Sequence, residues 1–573
     1  MSSLSSLSQT DARGTDGPVD TAGLRKARGA FFTPVELCDY LASWAIRRPI
    51  DQVLEPSCGE AAFLLSSAAR LEQLGAQPSS GLLHGVELHD PSVAAARRLL
   101  SDLGWPANIT QGDFFAVDGR RKYDAVIGNP PYIRYQDFNG AARAQSRAAA
   151  LRAGVGLTAL ASSWAAFAVH AAEFLRPGGR LGLVLPGELL TVNYAARVRE
   201  YLMARFGRVR LVVFTERVFP DVQEEVVLLL AEDALAPGGT DHCELRQVNA
   251  ARDLRLLAAG VDESYSWTPV DTRAKWTPAL LPAAALAAYT TAQATPDFRT
   301  LSDWGETTLG MVTGNNRFFA LSPARAVELG LSEAELIPLS PPGSRHLRGL
   351  TLAPSAWAEL GRSGSATWLF RPNANWEQLR GAARAYIDAG ERLGVEQAYK
   401  CRVRKPWWRV PLVPPADLLL TYMNADTPRL TTNRARVYHL NSVHGVYLHP
   451  GRKAIGADLL PLASLNTMTL LGAETVGRAY GGGMLKLEPK EADQLPVPGA
   501  ELLASARVQL IALRPQMATA LRGGRLTEAV RLVDEVLLIG ALGMSRPQVR
   551  ELEQAHQMLT ARRMSRSRTP RNP

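Results

Sequence analysis

Cysteine is scarce: Cys38, Cys58, Cys243 and Cys401 are the only four in 573 residues, with no Cys-x-x-Cys pair and no His partner at zinc-finger spacing. Neither a disulfide framework nor a structural zinc site is expected to organise such a chain, no metal is expected, and a reducing compartment is the default. Long apolar runs are also missing, since none reaches the ~18 uncharged apolar residues that span a bilayer. Met1 to Gly23 is Ser-, Thr-, Asp- and Gly-rich and lacks the apolar centre of a signal peptide. A cytoplasmic chain with no membrane partner is expected. No repeat at a fixed period is present. With 46% hydrophobic and 21% charged residues, a disordered or fibrous chain is excluded, and the length suits several domains of roughly 100 to 200 residues each.

Charge is unevenly placed. The chain carries 64 Lys+Arg and 55 Asp+Glu, a net of +9, with an isoelectric point near 9.5. Residues 1–300 hold 30 basic and 32 acidic side chains, whereas residues 301–573 hold 34 and 23. The first part is near neutral and the second strongly basic, which points to a polyanion partner for the C-terminal part.

In the first part, short apolar strands alternate with helical patterns. Strands are expected at Gln52 to Glu55, Leu83 to Leu88, Tyr123 to Gly128, Arg180 to Leu185, Arg210 to Phe214 and Glu225 to Ala231. Helices are expected at Ala61 to Leu74, Pro91 to Leu103, Ser162 to Leu175 and Glu188 to Phe206. Continuous apolar runs such as Val226 to Leu230 suit strands covered on both faces, and the alternation reads as a doubly wound α/β sheet. The expected division is a disordered leader (1–25), an α/β domain (26–240), a connector (241–300), a mixed, irregular domain (301–500), and C-terminal helices with a frayed basic tail from Arg562 (501–573). The leader is expected to be too short for a further domain.

Ligands of such folds sit beyond the carboxyl ends of the strands. The first strand runs into Glu55-Pro56-Ser57-Cys58-Gly59-Glu60-Ala61, a turn that opens a helix and lets a ligand approach the backbone. Alone, this is also what an ordinary strand-to-helix turn looks like. Glu87 ends the next strand, suited to accept hydrogen bonds from ribose hydroxyls. Gly112-Asp113-Phe114-Phe115 supplies an acid and aromatics for an adenine ring. Then comes Asn129-Pro130-Pro131-Tyr132, where two prolines stiffen the turn and can hold the Pro130 carbonyl and the Asn129 side chain as a fixed pair of acceptors.

Asn-Pro-Pro-Tyr after the strand at Tyr123 to Gly128, with the Glu-Pro-x-x-Gly turn upstream, resembles the S-adenosylmethionine-dependent amino-methyltransferases. Gly29-Ala30-Phe31-Phe32-Thr33-Pro34 resembles the N-terminal cofactor motif of the Taq-like, gamma-order DNA adenine-N6 methyltransferases among the type II modification methylases. Val312 to Phe319 and Tyr480 to Pro489 are similar to stretches of bacterial modification methylases, so the resemblance covers roughly residues 28 to 500. It implies a Rossmann-like methyltransferase domain, a C-terminal target-recognition domain, and S-adenosyl-L-methionine as cofactor. It also implies methyl transfer to N6 of an adenine flipped out of double-stranded DNA, by a protein monomeric on DNA and associated with the bacterial nucleoid. A separate restriction endonuclease is a candidate partner.

The resemblance assigns roles residue by residue. Phe32, Thr33, Pro34, Glu55, Gly59, Glu87, Asp113 and Phe114 would hold the cofactor. Asn129, Pro130, Pro131 and Tyr132 would hold the target amino group and ring, with Phe219 as a second aromatic support. Ala61 stands where many relatives carry a second glycine, and its methyl can be accommodated if the backbone stays at negative φ. Residues 400–453 carry ten Lys+Arg against two acids, interleaved with aromatics; Arg402, Arg404, Lys405, Arg434 and Arg436 are the expected DNA contacts. The alternatives are a protein-glutamine or RNA methyltransferase using the same loop, or a non-catalytic DNA-binding protein on a methylase scaffold.

Overall fold

The computed structural model describes residues 33–565, apart from residues 80, 139, 217, 220–224, 259–263, 270 and 380. The whole leader and Phe32 therefore lie outside the described residues. The chain divides into two compact units, one ending at Trp276 and the other beginning at Thr277.

The first unit is built on nine strands: β1 (Val53–Glu55), β2 (Leu83–Glu87), β3 (Ala107–Gln111), β4 (Tyr123–Gly128), β5 (Leu175–Pro186), β6 (Phe206–Phe214), β7 (Val226–Ala234), β8 (Cys243–Val248) and β9 (Tyr265–Trp267). Its helices include α1 (Val35–Ala45), α2 (Ala62–Gln73), α3 (Asp90–Asp102), α4 (Gly140–Arg152), α5 (Ser163–Ala172) and α6 (Ala196–Arg205). The sheet order is β3-β2-β1-β4-β5-β7-β6-β8-β9. Strands β1 to β5 run parallel, and β7 is antiparallel to both β5 and β6. β1 pairs with β2 on one side and β4 on the other, so the winding reverses there, and a cleft opens at the carboxyl ends of these strands.

The apolar runs form these strands because both faces are covered. β4 is buried at every position. Val184, Val212 and Leu228 share a core with Leu37, Leu41, Phe63 and Leu64 of α1 and α2. Leu183 and Leu185, equally buried, alternate to the opposite face. Helix α5, buried at all ten positions, is apolar all round for the same reason and packs on β5.

Several expectations need correction. β3 was not expected: it is an edge strand in which only Ile109 is buried, so its sequence carries almost no apolar signal. The helix expected at Glu188 to Phe206 is broken into Glu188–Thr191, a 3-10 turn at Asn193–Ala195, and α6, and Phe206 already belongs to β6. The expected connector at 241–300 does not exist as such. β8 pairs with β6 and β9 with β8, so residues 243–267 extend the sheet; residues from 277 belong to the second unit.

The second unit contains α7 (Ala283–Ala294), β10 (Gly305–Leu309), α8 (Gly381–Arg392), β11 (Leu418–Thr421), β12 (Leu430–Thr432), β13 (Val443–Leu448), α9 (Lys453–Ala463), α10 (Thr467–Val476), β14 (Arg478–Tyr480), β15 (Met484–Lys486), α11 (Arg507–Arg522), α12 (Leu526–Asp534) and α13 (Arg546–Ser565). Four strands form an antiparallel sheet in the order β10-β13-β11-β12. Beside it lies an aromatic core in which Phe318 stacks on Tyr386 at 4.4 Å. The region is less irregular than expected, because α8, α9 and α10 interrupt the short strands. Nor do the C-terminal helices stand apart from residues 301–500: α13 packs on α10 and α7, and α11 on α9. The tail expected to fray from Arg562 is helical through Ser565, with Arg563 4% exposed. Among the described residues, no single helix is long and apolar enough to cross a membrane.

Candidate active site

At the carboxyl ends of β1, β2 and β4 lies a cavity of about 560 Å³, lined by Thr33, Glu55, Gly59, Glu87, Asp113, Phe114, Asn129 and Pro131 among others. This volume is in the range of small-molecule sites.

The β1–α2 turn forms one wall. Gly59 has φ +49°, a region that side chains with a Cβ rarely adopt, and a Cβ there would meet no atom within 4 Å. The turn crosses close over β2, where a Cβ on Gly85 would come within 2.9 Å of Cys58 Sγ. The condition of negative φ at Ala61 is not met: its φ is +69°, left-handed. The reversal from strand to helix requires that conformation, with Ala61 N donating to Cys58 O at 2.6 Å, and the methyl is fully buried in the α1–α2 core.

Two carboxylates take different roles. Glu87, at the end of β2, accepts Gly59 N–H at 2.8 Å on one oxygen and His89 N–H at 2.9 Å on the other, which fixes it beneath the turn. Each oxygen keeps a second lone pair for a diol. Glu55 is 3% exposed and accepts Leu64 N–H at 3.1 Å, so it satisfies the first turn of α2. Burial pushes its carboxyl well above the ordinary carboxylate range; the Leu64 and Phe63 N–H groups oppose this and the charge of Glu87 adds to it. Asp113 Oδ1 accepts Phe115 N–H at 2.9 Å, which shapes the 3-10 turn that follows β3. Phe114 sits among Phe167, Phe174 and His170, with ring centroids 4.7 to 5.0 Å away.

On the opposite wall, Asn129 Nδ2 donates to Thr33 Oγ1 at 3.2 Å, and Tyr132 OH donates to Asn129 Oδ1 at 2.7 Å. Ser163 pins the loop, donating to the Pro131 carbonyl at 2.5 Å and accepting Ile133 N–H at 2.9 Å. Sequence reasoning missed Ser163; its signal is the polar pair Ser162-Ser163 opening an otherwise apolar helix. It also missed Ile133, Phe138 and Ala142, which complete this wall.

The structure brings together most of the expected site residues. Thr33, Glu55, Gly59, Glu87, Asp113, Phe114, Asn129 and Pro131 line one cavity. Pro34 ends the segment before α1, and Pro130 is buried within its loop. Tyr132 is half-buried against the core and Phe219 is 6% exposed within it, so neither lines the cavity. In the second unit Arg402, Lys405, Arg434 and Arg436 are exposed. Arg404 instead turns inward, donating to the Val312 carbonyl, with burial pulling its pKa down. Among the described residues, no three His, Cys, Asp or Glu side chains cluster as a metal site.

A parallel-dominated sheet that reverses its winding at β1, with an acid ending β2 and Asn-Pro-Pro-Tyr following β4, defines a Rossmann-like methyltransferase. Two family models match the chain, N-6 DNA Methylase over residues 21–234 and the C-terminal domain of Type II methyltransferase M.Eco57I over residues 273–538. Residues 21–234 thus belong to the N-6 DNA Methylase family and residues 273–538 to that of the type II methyltransferase C-terminal domain. Type II methyltransferase M.AccI of Acinetobacter calcoaceticus is 22% identical over 484 residues, covering 82% of this chain and 84% of that protein. M.XamI of Xanthomonas campestris pv. amaranthicola is 25% identical over 501 residues, covering 84% and 88%. Among solved structures, the type IIG restriction endonuclease BpuSI is similar over 95% of this chain and 67% of its own, at 13% identity and a TM-score of 0.45.

Proposed function

We propose that this protein transfers a methyl group from S-adenosyl-L-methionine to N6 of an adenine flipped out of double-stranded DNA, as the modification enzyme of a restriction-modification system or as a solitary methylase. The observation that carries this is the Asn129 amide, set into the wall of the same cavity that presents Glu87 and Asp113. Glu87 suits the ribose diol of the cofactor, Asp113 and Phe114 its adenine, and the open face of Gly59 the close approach of its backbone. Glu55 supports this site by fixing the start of α2. When bound, the cofactor supplies the activated methyl.

An exocyclic amine is a poor nucleophile because its lone pair is delocalised into the ring. Accepting both N6 hydrogens on Asn129 Oδ1 and the Pro130 carbonyl favours a pyramidal nitrogen with its lone pair directed at the methyl. Such preorganised acceptors act most strongly where water is excluded. A base inside a duplex cannot reach this cavity and must be extruded; Tyr132, bonded to Asn129 and half-buried outside the cavity lining, is its proposed stacking surface. The buried position of Phe219 favours a role in supporting that surface over direct contact. Exposed Arg402, Lys405, Arg434 and Arg436 suit phosphate contacts in the basic second unit.

The test is transfer of labelled methyl to duplex DNA, followed by nucleoside analysis. N6-methyladenine is expected, and Asn129→Ala should lower turnover by about 10²- to 10³-fold with cofactor affinity retained. Label confined to protein or RNA would reject the reading.

A further inference from the structure

We propose that the hydroxyls of Thr33 and Tyr132 are positioning groups that hold the Asn129 amide in its working plane, an inference that rests on the methyl-transfer reading above. The terminal torsion of an asparagine is broad, so an amide held at one end swings. Here both ends are held: Nδ2 donates to Thr33 Oγ1 at 3.2 Å and Oδ1 accepts from Tyr132 OH at 2.7 Å. The Tyr132 hydroxyl is also 2.9 Å from the Val184 carbonyl, and its one proton is shared between the two acceptors.

Each anchor is itself fixed. Val184 is fully buried in β5, paired with Leu228 of β7. Ser163 clips the backbone on either side of Tyr132, at Pro131 and Ile133, which sets where the phenol can reach. Thr33 lies just before α1, whose Leu37 and Leu41 are fully buried. The amide is thus strung between the lead-in to α1 and the central sheet. Oδ1 keeps a second lone pair for the target amine.

The consequence separates this role from those the motifs imply. A Thr33 that served only the cofactor would affect its affinity, and a Tyr132 that served only to stack would be replaced without loss by Phe. On the present inference both hydroxyls act on turnover.

The experiment uses the full-length protein, duplex genomic DNA and S-adenosylmethionine, measuring cofactor Kd by calorimetry and N6-methyladenine formation at saturating cofactor. Thr33→Val and Tyr132→Phe should each lower kcat about tenfold with Kd changed less than about threefold, and Thr33→Ser should restore most of the rate. A Thr33→Val protein with weakened cofactor binding and wild-type saturated kcat would overturn the inference, as would a Tyr132→Phe protein at wild-type rate. Those outcomes leave the methyl-transfer reading standing. Wild-type protein that forms no N6-methyladenine would overturn both.

Discussion

Arg563, in the last turn of α13, and Glu474, in α10, form a two-pronged ion pair at 3.0 and 2.8 Å, with side chains only 4% and 3% exposed. Thr560 donates to the same carboxylate at 3.0 Å, and Arg563 also donates to the carbonyl of Gly483 in the β14–β15 turn. One guanidinium thereby ties the end of the chain's final described helix to the glycine hairpin.

A charge left alone in this interior is costly. Arg563→Met should destabilise the protein by roughly 3–5 kcal/mol, while Arg563→Met combined with Glu474→Leu should cost much less, because no buried charge is orphaned. Denaturant unfolding of the single and double variants measures both. Equal losses in the two would show that the ion pair itself, and not the orphaned charge, sets the cost.

Asp534 introduces a pH dependence. Burial raises its pKa from 3.8 to about 7, against the opposing hydrogen bonds from Thr467 N–H and Oγ1 at 2.8 and 2.6 Å. The unfolded chain loses this proton first, so the group's contribution to stability is present below pH 3.8 and is lost as pH rises to about 7. Asp534→Asn keeps the shape and removes the titration. Its stability advantage over wild type should therefore grow across that window, and calorimetry at several pH values would detect it. A constant difference would contradict the assignment.

Ala61 sits at φ +69° with its methyl buried. Ala61→Gly relieves about 1 kcal/mol of left-handed strain, loses about 0.8 kcal/mol of methyl burial, and gives up roughly 0.5–1 kcal/mol to chain entropy. The net change should be within about 1 kcal/mol of zero. Ala61→Val, β-branched in the same conformation, should destabilise by more than about 2 kcal/mol. Thermal unfolding of the pair tests whether the turn needs this backbone geometry.

The basic segment divides in two. Arg436→Ala should weaken DNA binding nearly uniformly across sequences and reduce the log–log salt slope by about 1. Arg404→Ala should leave that slope unchanged and lower stability, since its guanidinium serves the Val312 carbonyl. Filter binding over a salt series, with unfolding in parallel, separates the two.

Much of the first unit was legible because covered parallel strands are apolar without interruption, and turn chemistry at their ends is local. Tyr123 to Gly128 followed by Asn129-Pro130-Pro131-Tyr132 marks both a strand and its ligand-facing end in one stretch. β3 was not legible, since an edge strand with only Ile109 buried has no pattern to read. The second unit was read least well: its helices lie between short strands, and their partners are distant in sequence.

Residue types and their order, by themselves, determined the α/β class, the family resemblance, and the placing of Glu87 and Asn129 at strand ends, because strand alternation and stiff turns act over a few residues. Only the tertiary structure decided what long-range contact controls. It placed Thr33 96 positions from Asn129 in sequence but 3.2 Å away, buried Phe219 in the core, turned Arg404 inward, and joined a supposed loose tail to Glu474. Those choices depend on which buried polar atoms find partners once the chain is folded, and no local pattern encodes them.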